Sequence, residues 1–497
     1  MFEFFGWAFL GLHYALLAVL CVFGLHRLSM VLRWYKHKDI PVEAIGQFSK
    51  LPRVTIQIPV FNERNVAGRI IDQSVKMDYP RARLQIQVVD DSTDDTYELI
   101  AEKVAYYQAQ GFDIQHVHRV NRTGFKAGAL RDAMEFSSGE FVAIFDADFM
   151  PPLDFLQKTI DRFTDPKLAM LQTRWSHLNL DSNRLTRTQA MMLDSHFALE
   201  QQVRYGSDML FNFNGTAGIW RVEAIIDAGH WSADTLTEDL DLSYRAQLRG
   251  WKMAYVNDIE CPAELPSNMR AFKSQQHRWA KGGIQVMKKM LGVVWRSDQL
   301  KTTTKVEATF HLSNNFAYFV MLVDTLFLLI PSLIMREHLD MPILVWLDFP
   351  LLAISSGSHL LYLYYGQLAL KKSKWNAFCQ LPWLLLLGIN LAFNNARAAL
   401  EALRGQESEF VRTPKNGELQ VGVEVKLPKS EKAYRAILPD EKWLQFLTSA
   451  VFLFTAGWVF NVGNWYMFPF LILLALGFSL SALDYDDSRN KLKFKLF

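Results

Sequence analysis

The sequence predicts an α/β domain with a mainly parallel sheet, inserted between membrane-spanning helices. From Leu51 to about Leu291, short apolar runs alternate with amphipathic stretches, which is the pattern of repeated strand–helix–strand units. Apolar runs of membrane length lie on both sides of this stretch. Half of the 497 residues are hydrophobic, yet the charged residues, 21% of the total, are concentrated in the middle of the chain.

The overall charge and the cysteines exclude two classes of protein. The formal net charge is only +2, and no dense basic stripe interleaved with aromatic residues is present. A nucleic-acid partner is therefore not expected. Cys21, Cys261 and Cys379 are too few and too scattered for a disulfide framework or a cysteine-rich metal site.

The first apolar run, residues 5–25, is predicted to be a retained transmembrane helix. It is longer than a signal-peptide core, no basic stretch precedes it, and it has no obvious small-residue cleavage site. Arg27, Arg33, Lys36 and Lys38 follow it directly. The positive-inside rule then places the amino terminus outside the cell membrane (the inner membrane) and the central domain in the cytoplasm.

Four further crossings and interfacial helices are predicted after the central domain. Apolar spans at about 310–334 and 343–365 form one hairpin, and 443–460 and 464–483 form a last one. The stretch 378–403 begins apolar but becomes amphipathic, so we assign it to the membrane interface. The count is five crossings plus interfacial helices.

These features divide the chain into five parts. They are an N-terminal transmembrane helix (1–35), a cytoplasmic domain (51–291), interfacial helices with a transmembrane hairpin (292–405), a cytoplasmic linker (406–440), and a C-terminal transmembrane hairpin with its tail (441–497). Lys491, Lys493 and Lys495 in the tail place the carboxyl terminus inside.

Two acidic clusters follow predicted strands. Asp90 and Asp91 come after an apolar β-branched run, and Asp146 and Asp148 come after another. Because open α/β sheets bind ligands at the carboxyl ends of their strands, we expect these carboxylates to crowd one edge. Asp146 and Asp148, one residue apart, suit Mg²⁺ or Mn²⁺. The alternative is a solvated acidic turn, which is common for an isolated Asp-x-Asp.

The strand before the first cluster also ends in a polar segment that contains Pro59, Phe61 and Glu63. Two consecutive strand ends that carry acids suit a pocket for a uracil and its ribose. In that pocket, Asp91 or its neighbour Asp90 accepts hydrogen bonds from the nucleoside. The alternative is a loop of turn-forming residues that caps the next helix.

Two later motifs add a base and a cation. Thr237, Glu238 and Asp239 have the composition of a helix start, for which capping is the usual explanation. We predict instead that Asp239 is a general base. Gln275, Arg278 and Trp279 share one helical turn, where Arg278 can neutralise a leaving diphosphate and Trp279 can stack on a sugar. The alternative for this helix is a membrane-surface anchor.

The ordered motifs resemble the membrane-embedded, inverting glycosyltransferases of family 2, which include cellulose synthases and plant cellulose-synthase-like glucomannan synthases. The resemblance spans nearly the whole chain. It is carried by Asp90 to Asp94, Asn121 to Leu130, Phe145 to Phe149, Phe213 to Gly218, Thr237 to Asp239, and Gln275 to Trp279. Phe410 to Lys415 resembles the gating loop that covers the nucleotide in the processive members.

The resemblance implies a GT-A fold and a role for each matching residue. Catalysis falls on Asp239, with Glu238 and Thr237. Donor binding falls on Pro59, Phe61, Glu63, Asp90, Asp91, Lys126, Asp146, Gln275, Arg278, Thr413 and Lys415, and metal binding on Asp146 and Asp148. Acceptor binding falls on Trp279, Asn214, Gly215 and Thr216.

The expected activity is that of a processive, inverting β-glycan synthase with a β-1,4 linkage. Its partners are a nucleotide sugar (UDP-glucose or GDP-mannose), the growing polysaccharide chain and the lipid bilayer, and its cofactor is Mg²⁺ or Mn²⁺. One alternative is a transferase that adds a single sugar to ceramide or diacylglycerol. Another is a non-catalytic membrane protein that binds glycan made elsewhere, which the intact acidic and Arg-Trp motifs disfavour.

Polar residues at membrane depth predict a conduit for the product, because such residues are costly unless they face a cavity. His311, Asn314, Asn315 and Asp324 are the polar candidates, and Phe316, Tyr318 and Trp383 are the aromatic ones. The alternative for each is helix–helix packing.

Overall fold

The structure is a computed structural model that describes residues 2–408, 413, 415, 417 and 442–482. Its described strands form one seven-stranded sheet with the order β3-β2-β1-β4-β6-β5-β7. They are β1 (Val54–Val60), β2 (Leu84–Asp90), β3 (Ile114–His118), β4 (Phe141–Ile144), β5 (Leu168–His177), β6 (Gly218–Arg221) and β7 (Lys252–Ala263).

Helices surround this sheet and continue beyond it. The chain begins with α1 (Phe2–His37), and the helices around the sheet are α2 (Arg64–Val75), α3 (Thr96–Gln108), α4 (Phe125–Ala133), α5 (Phe155–Thr159), α6 (Arg184–Asp194), α7 (Gln202–Gly206), α8 (Val222–Asp227), α9 (Glu238–Leu248) and α10 (Met269–Arg296). The remaining helices are α11 (Thr302–Ser313), α12 (Phe316–Val323), α13 (Leu329–His338), α14 (Val345–Leu352), α15 (Ser358–Ala369), α16 (Lys374–Leu403), α17 (Lys442–Asn461) and α18 (Phe468–Ala482).

Among the described strands, β6 alone runs antiparallel to its neighbours, which confirms the predicted mainly parallel sheet. All seven residues of β1 and all seven of β2 are buried, because helices cover both faces of a parallel sheet. The register places Val60 beside Asp90, and Asp90 beside His118. The carboxyl ends of these strands therefore lie at one edge.

The strand order reverses at β1, which has β2 on one side and β4 on the other. A crevice opens above such a reversal, because the connections on its two sides leave in opposite directions. The segment after β1, the acids after β2 and the Asp-x-Asp segment after β4 all start at this crevice. The fold thus positions the predicted site before any side chain is considered.

Four helical spans in the described part of the chain are long and apolar enough to cross a membrane. They are Gly6–His37, Phe316–His338, Lys374–Leu403 and Lys442–Asn461. One precedes the sheet domain and three follow it, so the protein has the composition of a membrane protein with its α/β domain between the spans.

The observed helices differ from the predicted spans in two places. The predicted span 310–334 is interrupted, because α11 ends at Ser313 and α12 begins at Phe316. The predicted interfacial segment 378–403 is part of α16, a 30-residue helix that is also long enough to cross a bilayer. Its position relative to the membrane stays a prediction, as does the number of crossings. The tail lysines lie outside the described residues.

A buried ion-pair network joins α1 to the sheet domain. Glu200, in the π-helical turn between α6 and α7, accepts hydrogen bonds from Arg27 at 2.9 Å and from Arg204 at 3.0 Å. The Tyr362 hydroxyl of α15 donates to the same carboxylate at 3.1 Å. Arg27 also donates to Asn314 at 2.7 Å. One carboxylate therefore holds together three helices and the connection between α11 and α12.

Replacing this carboxylate should destabilise the junction strongly. Glu200→Ala leaves the cations of Arg27 and Arg204 buried without their anion, which costs about 3 to 5 kcal/mol when a buried pair is broken. Thermal unfolding of the detergent-purified protein measures the effect. Glu102→Ala, which removes an exposed carboxylate of α3, is the control and should change stability by less than about 0.5 kcal/mol. Equal unfolding temperatures for the two variants would contradict the role of Glu200.

Candidate active site

One cavity at the carboxyl edge of the sheet brings most of the predicted site residues together. The predicted residues in its wall are Pro59, Phe61, Glu63, Asp91, Lys126, Asp146, Asp148, Asn214, Gly215, Thr237, Glu238, Asp239, Gln275, Arg278, Trp279, Thr413 and Lys415. These residues come from eight separate segments of the chain. Their individual roles stay predictions, but their convergence on one cavity is observed.

Two predicted site residues, Asp90 and Thr216, do not line the cavity and lie behind its wall. Asp90 is fully buried, and its carboxylate accepts hydrogen bonds from the backbone N–H of Ser92 and from two histidines. Thr216 Oγ1 accepts a hydrogen bond from the Asp146 backbone N–H at 2.8 Å. The predicted roles of Asp90 in donor binding and of Thr216 in acceptor binding stay predictions.

The Asp-x-Asp carboxylates each face a lysine ammonium. Lys126 Nζ lies 2.5 Å from Asp146 Oδ1, and Lys415 Nζ lies 2.7 Å from Asp148 Oδ2. Ala147 between the two acids is fully buried, which directs both acidic side chains away from the core. Burial alone would lower the pKa of Lys126, but the carboxylates of Asp146 and Glu238 raise it above its usual value. The lysine therefore stays a cation.

Asp239 lies at the start of α9, on the cavity wall and enclosed by the surrounding protein. Burial, followed by the neighbouring Glu238 carboxylate, raises the pKa of Asp239 to about 7. Burial also raises the pKa of Glu238. Thr237 makes no side-chain capping bond, and its Oγ1 is buried with no hydrogen-bond partner among the described residues. The helix-cap explanation therefore does not account for the Thr237 hydroxyl.

Two glycines make room for this cluster. Gly215 has a φ of +80°, and a Cβ there would lie 3.1 Å from Asp239 Oδ2. A Cβ at Gly282 of α10 would lie 2.6 Å from the Thr237 methyl group. Any larger residue would displace the Thr-Glu-Asp segment.

Helix α10 carries the basic and aromatic residues into the cavity. Gln275, Arg278 and Trp279 all line it. Burial lowers the pKa of Arg278, and the nearby carboxylates of Glu238 and Asp146 partly counteract this effect. An arginine keeps its charge under such a shift. The predicted cation therefore lies among the acids.

The opposite end of the cavity has the features of a nucleoside pocket. The Arg122 guanidinium lies 3.5 Å from the centre of the Phe61 ring, as a stacked cation–π pair. Arg119 donates to both oxygens of Asp91, at 2.8 and 2.7 Å, which fixes this carboxylate in the wall. A flat stack beside an oriented carboxylate suits a nucleobase.

The segment after α16 reaches the cavity through Thr413 and Lys415. Lys415 Nζ donates to the Glu264 carbonyl oxygen at 2.7 Å, and the Gly417 N–H donates to the Glu264 carboxylate at 2.9 Å. Lys415 also pairs with Asp148, so the described residues of the predicted loop lie beside the Asp-x-Asp segment. Phe410, Val411, Arg412 and Pro414 of the predicted gating loop lie outside the described residues.

Comparison with known proteins identifies the domain. The family model described as "Glycosyltransferase like family 2" matches residues 52–282. Residues 52–282 are a family 2 glycosyltransferase domain. This range coincides with the predicted 51–291 domain at its amino end and stops within α10.

The chain is also similar to plant enzymes. It is 43% identical over 277 residues to glucomannan 4-beta-mannosyltransferase 2 of Arabidopsis thaliana, covering 55% of this chain and 52% of that protein. It is 41% identical over 278 residues to glucomannan 4-beta-mannosyltransferase 7 of the same plant, covering 55% and 50%. The matches span about half the length of these curated relatives, and they bear out the predicted resemblance to cellulose-synthase-like glycosyltransferases.

A solved structure supports the fold. The mannosyltransferase PcManGT from Pyrobaculum calidifontis, in complex with GDP-Man and Mn²⁺, matches with a TM-score of 0.51 and 19% identity. The match covers 80% of this chain and 100% of that one. The predicted GT-A fold is thereby confirmed.

Several residues that line the cavity were not among the site residues predicted from the sequence. Trp175 and His177 point to the same side of β5, as residues two apart in a strand do. The Trp175 ring centre lies 6.5 Å from that of Trp279, and Asp194 holds His177 Nε2 at 3.0 Å. No motif marks these residues. The only signal was the polar end of an otherwise apolar run, which is weak.

The predicted conduit residues make contacts between helices. His311 Nδ1 lies 2.8 Å from the Tyr244 hydroxyl, and Asp324 Oδ1 lies 2.7 Å from His13 Nδ1. The Trp383 ring stacks with Arg184 at 4.0 Å. These contacts suit helix packing, the alternative already noted, and the conduit stays a prediction.

The raised pKa of Asp239 predicts a pH-dependent stability. Between about pH 4 and pH 7 the folded protein keeps a proton that the unfolded chain, with a pKa of 3.8, has released. Stability therefore falls as the pH rises through this window, by at most about 4 kcal/mol. Asp239→Asn removes the ionisable group and with it this loss of stability. The free energy of unfolding of the variant should therefore increase relative to that of the parent between pH 4 and pH 8.

Thermal unfolding with a metal chelator and without nucleotide measures this gain. Asp258→Asn, which neutralises an exposed carboxylate, is the control and should keep the pH dependence of the parent. If Asp239→Asn also keeps the parent pH dependence, the raised pKa is wrong.

Proposed function

We propose that this protein is a processive, inverting glycosyltransferase that polymerises a β-1,4-linked mannan or glucomannan. GDP-mannose is the proposed donor. UDP-glucose is either a second donor, used together with GDP-mannose, or the donor in its place. The observation that carries the proposal is the convergence of the Asp-x-Asp, Thr-Glu-Asp and Gln-x-x-Arg-Trp segments on one cavity. The identity of 41–43% to glucomannan mannosyltransferases supports the choice of mannose.

Asp239 is the proposed general base. Inversion takes a single displacement, in which an acceptor hydroxyl attacks the sugar carbon opposite to the leaving diphosphate. The hydroxyl must lose its proton as it attacks, and a carboxylate with a pKa of about 7 is well suited to accept it near neutral pH. Glu238 supports this role, because its charge raises the proton affinity of Asp239.

Lys126 and Arg278 are the proposed fixed cations for the diphosphate. Both line the cavity, and both lie within electrostatic reach of Asp146 and Glu238. A charge that develops on the leaving group is stabilised most by donors that need no rearrangement. Lys126 fits this requirement, because Asp146 and the Gly215 carbonyl oxygen, at 2.9 Å, already orient its ammonium group.

Asp146 and Asp148 are the proposed ligands of Mg²⁺ or Mn²⁺. Their oxygens are the hard donors that such ions prefer, and each carboxylate now faces an ammonium group, which marks a position that attracts positive charge. A bound divalent ion supplies additional charge neutralisation for a leaving diphosphate.

Trp279 and Trp175 are the proposed stacking surfaces for the acceptor sugar. Their ring centres are 6.5 Å apart, and their planes are inclined by 56°, so the two rings form a corner. Asn214 lies in the same cavity, and its side-chain oxygen is held by His196 Nε2 at 2.9 Å. Rings and an oriented amide together suit the apolar faces and hydroxyl groups of a hexose.

The segment with Thr413 and Lys415 is the proposed lid. A polymerising enzyme must enclose each donor and release each nucleotide, and a mobile cover performs both steps. The proposed orientation places the domain and the carboxyl terminus in the cytoplasm and the amino terminus outside. The product leaves through the helices that follow the domain, with α16 at or in the membrane.

Incubation of the purified protein with each nucleotide sugar tests the proposal. With Mg²⁺ and GDP-mannose we expect a polymer that a β-1,4-mannanase digests. With both GDP-mannose and UDP-glucose we expect either the same mannan or a glucomannan. A product limited to a single sugar on ceramide or diacylglycerol would show a glycolipid transferase. Absence of nucleotide release from either donor would contradict a glycosyltransferase.

Asp148→Ala should abolish metal-dependent turnover without unfolding the protein. The Asp148 carboxylate lies shortly after β4, pairs with Lys415 at 2.7 Å and accepts a hydrogen bond from the Glu264 N–H at 3.3 Å, so its loss removes charge and these two polar contacts. Turnover should fall by more than about 100-fold, as for other interactions that stabilise developing charge. Asp154→Ala is the control and should retain activity, because Asp154 is a part-exposed acid that directly precedes α5 and does not line this cavity. Full activity of Asp148→Ala would remove this residue from the metal site.

A further inference from the structure

A second cluster of metal-ligating groups lies outside the active-site cavity. Asp90 ends β2, and His116 and His118 lie two apart near the end of β3. Residues two apart in a strand point to the same face. His118 is the register partner of Asp90, so all three side chains meet on one face of two adjacent strands.

The ligand atoms lie at distances typical of a metal site. Asp90 Oδ2 is 2.9 Å from His116 Nε2 and 3.2 Å from His118 Nδ1. All three ligand atoms lie within 4.8 Å of one another. Two ligands of a tetrahedral zinc ion, each at about 2.0 to 2.1 Å, lie about 3.3 Å apart. Small shifts of the imidazole rings would therefore admit an ion.

The surroundings orient the ligands and leave one side open. The Ser92 backbone N–H donates to Asp90 Oδ1 at 2.8 Å, and the Tyr97 ring packs against both imidazoles, with centre distances of 5.0 and 4.7 Å. Such supporting contacts fix ligand orientation in metal sites. The side chain of Asp90 is fully buried, whereas that of His118 is 28% exposed, so solvent reaches the cluster from the histidine side.

We propose that Asp90, His116 and His118 bind a divalent transition-metal ion of the zinc class, with water as the fourth ligand. Two imidazole nitrogens and one carboxylate select zinc, nickel or cobalt over magnesium, which prefers oxygen ligands alone. This site is separate from Asp146 and Asp148. The end of β4 is two strands away from β2, which corresponds to about 10 Å.

The bound ion would link β3 to β2 beside the proposed nucleoside pocket. Arg119 directly follows His118, and its backbone N–H donates to the Asp90 carbonyl oxygen at 2.9 Å. Its guanidinium holds Asp91 in the cavity wall. An ion that fixes His118 therefore also fixes the arginine that orients Asp91, so the site acts as a structural brace for donor binding.

Direct metal titration tests the proposal. The full-length protein, purified with a tag that contains no histidine, is stripped with a chelator and titrated with Zn²⁺. We expect one saturable site of micromolar or tighter affinity. Co²⁺ should give the strong visible absorption of a four-coordinate ion. The double variant with His116→Ala and His118→Ala should bind at least about 100-fold more weakly and lose the cobalt spectrum.

Two controls separate this site from others. The double variant with Asp146→Asn and Asp148→Asn should keep both zinc binding and the cobalt spectrum. His230→Asn, which removes a part-exposed imidazole elsewhere, should also keep them. If the double histidine variant does not fold, His118→Ala alone replaces it, since that side chain is partly exposed. Absence of saturable binding, or binding that the histidine substitutions leave unchanged, would overturn the proposal.

Discussion

The charge balance of one cavity is the constraint on which the rest of this structure depends. Carboxylates of Asp146, Asp148, Glu238 and Asp239 lie together in one cavity at the carboxyl edge of the sheet. Like charges in such a space are costly unless they are protonated or paired. The structure uses both solutions. Lysines pair with the Asp-x-Asp acids, and the pKa of Asp239 is raised to about 7.

This charge balance also links the α/β domain to the helices that follow it. The cations of α10 must be held among the acids, and α10 is itself fixed to α16. Lys281 of α10 is buried and pairs with Glu401 of α16 at 3.0 Å, while Lys288 donates to the Ala402 and Leu403 carbonyl oxygens at the end of that helix. The segment with Lys415 starts where α16 ends. Helix α16 therefore contacts α10, which carries the Arg-Trp motif, and precedes the proposed lid in the chain.

The strands and the acids at their ends could be predicted from the sequence. Buried parallel strands are continuous apolar runs, and the carboxyl ends of such strands meet at one edge whatever the loops do. The same logic could not find Trp175 or His177, because their place in the wall depends on tertiary neighbours, Trp279 of α10 and Asp194 of α6. It also could not find the pairing of Arg119 with Asp91. The apolar run of residues 5–25 also does not show that α1 continues to His37, since Arg27 and Arg33 lie within the helix and pair with Glu200 and Glu307.

A cryo-EM structure of the protein with a nucleoside diphosphate and Mn²⁺ would show directly whether these charged groups hold the donor. We expect an ion within about 2 Å of a carboxylate oxygen of Asp146 or Asp148. It also predicts diphosphate oxygens in contact with Lys126 or Arg278, and the nucleobase beside Phe61. Density for the ion and the diphosphate elsewhere, with these four charged side chains in contact only with one another, would contradict it.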